Sequence, residues 1–274
     1  MIVRVPASSA NLGPGFDALG MALTLHLEAS PEPLTPAQAP VDEHHPALKA
    51  FRIAGGDGDL YVRSPIPMGR GLGFSGAARV AGLVVGVEQQ GGFAAERDSP
   101  WVLDQATALE GHADNAAASL LGGVVATAGG RAVRVPVPFD PAVVVWVPPT
   151  KTSTDESRGR LAIAVPLADA VFNVGRAALL VAALAVGDTD ALRTATEDRL
   201  HQDVRFAAAP ASREALAAAL AAGALCGWLS GSGPTVAVLA SVAEAEGIAA
   251  ALPEGGSAKI LRIDQTGAHV ARSD

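Results

Sequence analysis

The chain has 274 residues, 49% of them hydrophobic, which is enough for one large domain or two modest ones with an ample core. A formal net charge of −8 without any lysine-arginine block argues against a nucleic-acid partner, because phosphate backbones select basic surfaces. Cys226 is the single cysteine, which excludes an internal disulfide and a cysteine-built metal site.

The longest uninterrupted apolar run, residues 177–186, falls below the roughly 18 residues that suggest a membrane span. No apolar signal segment follows the first basic residue, so a cytoplasmic protein with no membrane partner is expected. Residues 1–29 alternate β-formers around a polar insert, 6–17, whose Gly13-Pro14-Gly15 excludes regular structure; the pattern predicts strand, loop, strand. A proline-rich connection over 30–46 leads to a short helix near 47–54 and a strand at 60–64. Residues 75–89, apolar and punctuated by Arg79 and Gly82, predict a largely buried helix. The next helix is expected to start at Ser99-Pro100, with Ser99 as N-cap, and to stop at Gly111. A helix over 113–121, a strand pair over 124–138 around Gly129-Gly130 and a strand at 143–147 follow.

Beyond Pro148-Pro149 the texture changes to alanine-rich helices at 155–161, 167–186, 190–200 and 212–222. That change sets the expected division into domains 1–148 and 149–274. Residues 227–240 read as strand, tight glycine turn, strand; 242–252 as a helix; and 258–263 as a final strand.

Four segments carry candidate chemistry. The run from Pro67 through Gly69, Arg70, Gly71, Leu72, Gly73, Phe74, Ser75 and Gly76 is a glycine-rich turn opening into a helix, the arrangement that cradles phosphate on free backbone N–H groups. Arg70 and Arg79 supply local cations whatever the global charge. Gly71, Gly73 and Gly76 also spell GxGxxG, yet Pro65 and Pro67 precede it and no convincing ribose-binding carboxylate follows, so a dinucleotide fold is disfavoured and a plain glycine-rich helix entry is the bland alternative.

The second segment, Glu110-Gly111-His112-Ala113-Asp114-Asn115, concentrates a carboxylate, an imidazole and an amide at a break between helices. Glu110 reads as a magnesium ligand or as a solvated helix-end carboxylate, and Asp114 suits an N-cap better than a ligand. In the third, Asn11 to Asp17, Asp17 suits either a ligand ammonium or an Asx turn. The fourth, Ser230 to Thr235, reads as a tight turn closing onto a ligand; it is not a GxSxG elbow, and no serine-histidine-aspartate set is evident.

In order along the chain these segments resemble the homoserine kinase branch of the GHMP small-molecule kinase superfamily. The likeness is carried by Val5-Pro6-Ala7-Ser8-Ser9-Ala10-Asn11-Leu12-Gly13-Pro14-Gly15-Phe16-Asp17, the loop through Gly71-Leu72-Gly73, Glu110 to Asn115 with Gly122-Gly123, and Ser230 to Thr235. Ser153-Thr154-Asp155-Glu156-Ser157-Arg158, Ala168 to Asn173 and Glu197-Asp198-Arg199-Leu200-His201-Gln202 favour that branch over its cousins.

The resemblance implies an α+β protein of the GHMP kinase fold, with an N-terminal ribosomal-protein-S5-like domain and a C-terminal ferredoxin-like domain. It implies a transferase that moves the γ-phosphate of ATP to the hydroxyl of L-homoserine in threonine biosynthesis. By motif, residues 69–76 would bind the nucleotide, Ser75 and Glu110 would hold Mg²⁺, and Asn11, Asp17, His112, Asn115, Arg158 and Arg205 would surround homoserine. Asn115, Glu110 and Ser75 are the candidate catalytic residues, and a homodimer is a family-level expectation. The loop departs from the usual Gly-Leu-Gly-Ser-Ser-Ala pattern at Phe74 and Gly76. The alternatives are another GHMP small-molecule kinase and a non-catalytic ligand sensor of the same fold.

Overall fold

The structure, a computed structural model, describes residues 1–271, without the side chains of residues 95–97. Strands β1 (Ile2–Ala10) and β2 (Leu19–Ser30) pair antiparallel, and β2 also pairs β3 (Tyr61–Arg63) and β4 (Val124–Ala128), which carries β5 (Arg131–Val135) on its outer edge. The first strand therefore runs through half of the expected insert. Pro6 is tolerated because the register with β2 shifts between Pro6 and Ala7, a bulge where its missing N–H disturbs the ladder least. Val5 and Ala7 on either side are fully buried. Only residues 11–18 are irregular.

Helices α1 (Pro46–Ile53), α2 (Phe74–Gly91), α3 (Ala95–Glu110) and α4 (Asp114–Leu121) complete this half, with α2 and α4 on β1 and β2 and α1 on α2. Gly82 permits the α1 approach, since a Cβ there would stand 2.0 Å from the Ala47 carbonyl oxygen. Helix α3 begins before Ser99, and Pro100 lies inside it. An earlier start is stabilised by Asp98, whose carboxylate accepts the Ala94 N–H at 2.8 Å. Asp114 is not the N-cap of α4 but its first residue; Ala113 stands at the cap.

The second sheet has the order β7-β8-β6-β9, all antiparallel, from β7 (Cys226–Leu229), β8 (Val236–Ala240), β6 (Ala142–Val147) and β9 (Ser257–Arg262). Every residue of β6 is buried, and the two-residue period of a strand sorts them between two cores. Val143, Val145 and Val147 join the core of the first sheet, whereas Ala142, Val144 and Trp146 pack in a smaller core. Helices α9 (Pro210–Ala221) and α10 (Ala245–Ala250) cover that outer face.

The sheets do not divide at residue 148. Strand β6 hydrogen-bonds into the second sheet, and a strand absent from the sequence reading, β10 (His269–Ala271), returns to the edge of β1. Residues 272–274 of the expected second domain lie outside the described residues.

Along the chain after β6 come α5 (Thr154–Gly159), α6 (Leu167–Val186), α7 (Leu192–Ala195) and α8 (Gln202–Ala208). The helix expected over 190–200 shrinks to α7, and α8 is new. By length and composition α6 could cross a membrane, which the count of uninterrupted apolar residues misses because Asp169, Asn173 and Arg176 break the run. Those three side chains bond to Arg199, Asp198 and Glu197, so the polar stripe of α6 holds the segment after α7.

Gly82→Ala tests the close α1–α2 crossing. Despite the roughly 1 kcal/mol gain in helix propensity, the clash with the Ala47 carbonyl is expected to leave the variant about 1–3 kcal/mol less stable in urea unfolding.

Candidate functional site

The cleft is built on a close approach of backbone to backbone. Gly71 (φ 77°) lies so near the turn after β7 that a Cβ would stand 2.2 Å from the Ser230 carbonyl oxygen. Gly73 (φ 66°) is the N-cap of α2 and has no side-chain cap bond; a Cβ there would strike the Ser8 hydroxyl at 2.0 Å. The first helical bond is from the Ala77 N–H to the Gly73 carbonyl at 2.9 Å, so the N–H groups of Phe74, Ser75 and Gly76 have no intrahelical partner. Together with the positive end of the helix dipole, they form a site that favours an anion.

On the same helix Arg79, one turn after Ser75, reaches back to the Ser75 hydroxyl and to the Glu110 carboxylate at the end of α3. Burial lowers the Arg79 pKa. The sequence placed Arg79 near the loop but did not foresee this pairing. At the start of α4, Asp114 is buried, and its Oδ1 lies 3.0 Å from His112 Nδ1 and accepts the Asn115 N–H at 2.7 Å. Asn115 Oδ1 accepts the Ser8 hydroxyl at 2.9 Å, which orients the amide.

The other wall carries the opposing charges. Arg158 on α5 makes a two-pronged ion pair with Asp17, with Nη1 2.9 Å from Oδ2, and the hydrogen bond to Asp17 raises its pKa further. Asp17 has φ 58°, and its N–H donates to Asn11 Oδ1 at 3.1 Å. Arg205 on α8 is 4% exposed, and burial, followed by the like charge of Arg158, pulls its pKa down to about 10. It remains charged at neutral pH. The Phe16 ring takes both guanidinium carbons, at 5.4 Å from Arg158 and 5.2 Å from Arg205, within cation–π range.

These groups face one cavity of about 280 Å³. It brings together Asn11, Asp17, Gly69, Gly71, Leu72, Gly73, Phe74, Ser75, Glu110, His112, Asn115, Arg158 and Arg205. Arg70 is not among them. Its guanidinium donates to the carbonyls of Pro148 (3.0 Å) and Pro149 (2.7 Å) outside the cavity, so it anchors the loop to the end of β6. Gly76 also lies behind the wall, where its missing Cβ admits Asn115 and the start of α4.

Sequence reasoning gave no site role to Thr152, just before the quoted 153–158 segment, or to Thr154 within it, although both line the cleft; the Thr152 N–H donates to the Gly69 carbonyl at 2.9 Å. It also missed His45, whose ring meets Phe74 edge-on at 5.9 Å and whose pKa is lowered by burial.

Comparison with known proteins gives a consistent set of relatives. The family model described as the GHMP kinases N terminal domain matches residues 43–123, and that of the GHMP kinases C terminal matches residues 180–258. The homoserine kinase of Streptomyces avermitilis is 42% identical over 98% of this chain and 94% of its own length. That of Thermus thermophilus is 40% identical over 92% of each. The crystal structure of homoserine kinase from Cytophaga hutchinsonii superposes with a TM-score of 0.83 at 27% identity, covering 99% of this chain and 97% of that one.

Gly71→Ala probes the approach that builds the cleft. The variant is expected to fold with the loop pushed off the 230–233 turn, giving faster amide hydrogen exchange over residues 69–75 and unchanged exchange in the second sheet.

Proposed function

The chain belongs to the homoserine kinases of the GHMP kinase family, and we propose that its cleft transfers the γ-phosphate of ATP to the side-chain hydroxyl of L-homoserine, giving O-phospho-L-homoserine. The observation that carries the assignment to this cleft is the meeting, in one cavity, of an uncapped helix start with a carboxylate opposed by two guanidinium groups. The first suits a triphosphate. The second suits an amino-acid zwitterion, because an ammonium needs a carboxylate and a carboxylate is held best by planar, multi-donor guanidinium groups.

In this reading Gly69, Gly71, Leu72, Gly73, Phe74 and Ser75 line the triphosphate, while Arg70 and Gly76 support the loop from behind. Asp17 takes the ammonium with Asn11 beside it, and Arg158 and Arg205 take the carboxylate. His112 closes the homoserine end, and the Asn115 amide, its oxygen occupied by Ser8, offers its nitrogen to the acceptor hydroxyl. An acceptor lacking a carboxylate would leave Arg205 without an anionic partner, and the sensor alternative rests on Phe74 alone.

Phosphoryl transfer asks little covalent chemistry of the protein, so positioning and neutralisation of charge carry the reaction. No dedicated base is assigned. Asp114 is buried and occupied by His112 and Asn115. A magnesium ion fits the residues present: Ser75 and Glu110 offer a hydroxyl and a carboxylate, and the Arg79 cation already bonds to both. Ser75 and Glu110 would hold the ion, which would supply neutralisation of phosphate charge when bound. A place in threonine biosynthesis, a cytoplasmic location and a homodimer are part of the same proposal.

The deciding experiment is homoserine-dependent ADP release by the purified protein with Mg-ATP, beside mevalonate, galactose and no acceptor. Turnover with homoserine alone is expected; turnover with another acceptor would discard the substrate residues. Arg158→Ala is expected to raise the homoserine KM about 10- to 100-fold, or about 1.4–2.8 kcal/mol, with the ATP KM unchanged. Phe74→Ser, which restores the usual family residue, is expected to keep or improve the ATP KM, and a large rise in the folded variant would make the ring an adapted part of the nucleotide site.

A further inference from the structure

The Asp198 to Gln202 motif has no part in the reading so far, yet it holds the most completely bonded buried group beside the cleft. The Asp198 carboxylate accepts the N–H groups of Leu200 (3.1 Å), His201 (2.9 Å) and Gln202 (2.7 Å) and the Asn173 amide (2.7 Å). Gln202 in turn accepts the Leu229 N–H at 2.8 Å, which ties the segment to β7. His201, one turn before Arg205, is thereby fixed with its side chain wholly buried.

Both ring nitrogens have partners of one kind only. Nε2 lies 2.8 Å from the Gly13 carbonyl oxygen, which can only accept, and Nδ1 lies 3.1 Å from Arg205 Nη1, which can only donate. The ring is therefore neutral, with its proton on Nε2. The remaining neighbours agree: burial lowers the His201 pKa, the Arg205 charge lowers it too, and Asp198 and Asp17 oppose them without prevailing. Phe16 packs on the ring at 5.1 Å.

The bonds continue into the cleft. Arg205 Nη1 also donates to the Gly231 carbonyl at 3.0 Å, and that oxygen accepts Asn11 Nδ2 at 3.0 Å. Both Nη1 protons are thus committed, while Arg205 Nε is buried with no partner among the described residues. Arg205 also lines the cavity, so the group these bonds fix is one that a carboxylate in the cleft would meet.

We infer that His201 is a positioning residue: the neutral imidazole fixes the Arg205 guanidinium and the Gly13 carbonyl of the Asp17 loop at one spacing, and so sets the preference for an acceptor that carries an α-carboxylate. The inference rests on the assignment of homoserine to this cleft. It gives His201 a role distinct from packing, because its loss acts on one end of one substrate. Protonation at low pH would turn an N–H toward the guanidinium and release Arg205 in the same way.

The test compares homoserine with 3-amino-1-propanol, the same acceptor without its carboxylate. His201→Phe keeps an aromatic ring and removes both bonds; it is expected to lower the ratio of kcat/KM for homoserine over 3-amino-1-propanol by about 30-fold, through the homoserine KM, with the ATP KM changed less than about threefold. His201→Gln, which keeps a donor and an acceptor, is expected to recover part of the ratio. An unchanged ratio, or an equal loss with both acceptors, would overturn the inference. If the variants do not fold, nitrogen NMR of the histidine-labelled wild type decides: a neutral Nε2–H ring at neutral pH is expected, and an imidazolium or Nδ1–H ring there overturns it. A wild type that does not prefer homoserine would instead remove the site assignment, a result the NMR arm separates from failure of the His201 role.

Discussion

The cleft depends on the seam where the Gly71 loop touches the turn after β7. Direction can be assigned to every hydroxyl along it. Trp228 Nε1 donates to Ser9 Oγ at 2.9 Å, and Ser230 Oγ donates to the Gly71 carbonyl at 2.6 Å, so the 2.7 Å contact between the two serines runs from Ser9 to Ser230. This chain of three donors crosses from the second sheet through β1 to the phosphate loop, and in a buried setting each bond polarises the next. The Gly231 N–H adds a bond to the Ala10 carbonyl at 3.1 Å. Loop and turn therefore move as one body, which keeps the anion-binding helix start in fixed relation to the charged wall opposite. A transfer reaction that relies on placement needs that rigidity.

The same rigidity explains how a chain of net charge −8 keeps two guanidinium groups near each other. Arg158 is matched by Asp17, and Arg205, largely stripped of water, is held by a carbonyl and a neutral imidazole. The cost of removing Arg205 from water is met during folding, so a carboxylate paired with it would meet a charge already desolvated and oriented. A zwitterion brings one charge of each sign. It can divide the Asp17–Arg158 pair between its own two ends without leaving either partner alone, which a simple anion or cation cannot do.

Sequence legibility followed the range of the forces involved. The glycine loop, the presence of β6 and the bounds of α6 were readable because periodicity and turn chemistry act within a few residues. The membership of β6 in the second sheet, the return of β10 to β1 and the short α8 were not, because long-range pairing or a buried cap decides them. Asp198 illustrates the point. Read locally, residues 190–200 favour helix, yet its carboxylate captures three successive backbone N–H groups and starts α8 afresh at Gln202. At the site, residue types suited to each role were visible. What Arg70 and Arg79 do was invisible, because an arginine side chain is long enough to serve either the cleft or its scaffold. Arg70 was taken by the carbonyls ending β6, and Arg79 by the Glu110 carboxylate.

Phe74 shows why a loop can depart from its family pattern and keep its design. The groups unpartnered within α2 at its start are backbone N–H groups, which any residue other than proline supplies, so the side chain at position 74 is free to answer to its neighbours. Its neighbour is His45, which caps α1 by accepting the Ala47 N–H on Nδ1, a bond that requires an unprotonated nitrogen. Burial lowers the His45 pKa, and the Phe74 ring packs edge-on against it at 5.9 Å. An aromatic at 74 thus adds apolar cover to a cap that works only while neutral. The residue that breaks the pattern of the phosphate loop joins that loop to the start of α1 and the proline-rich connection before it.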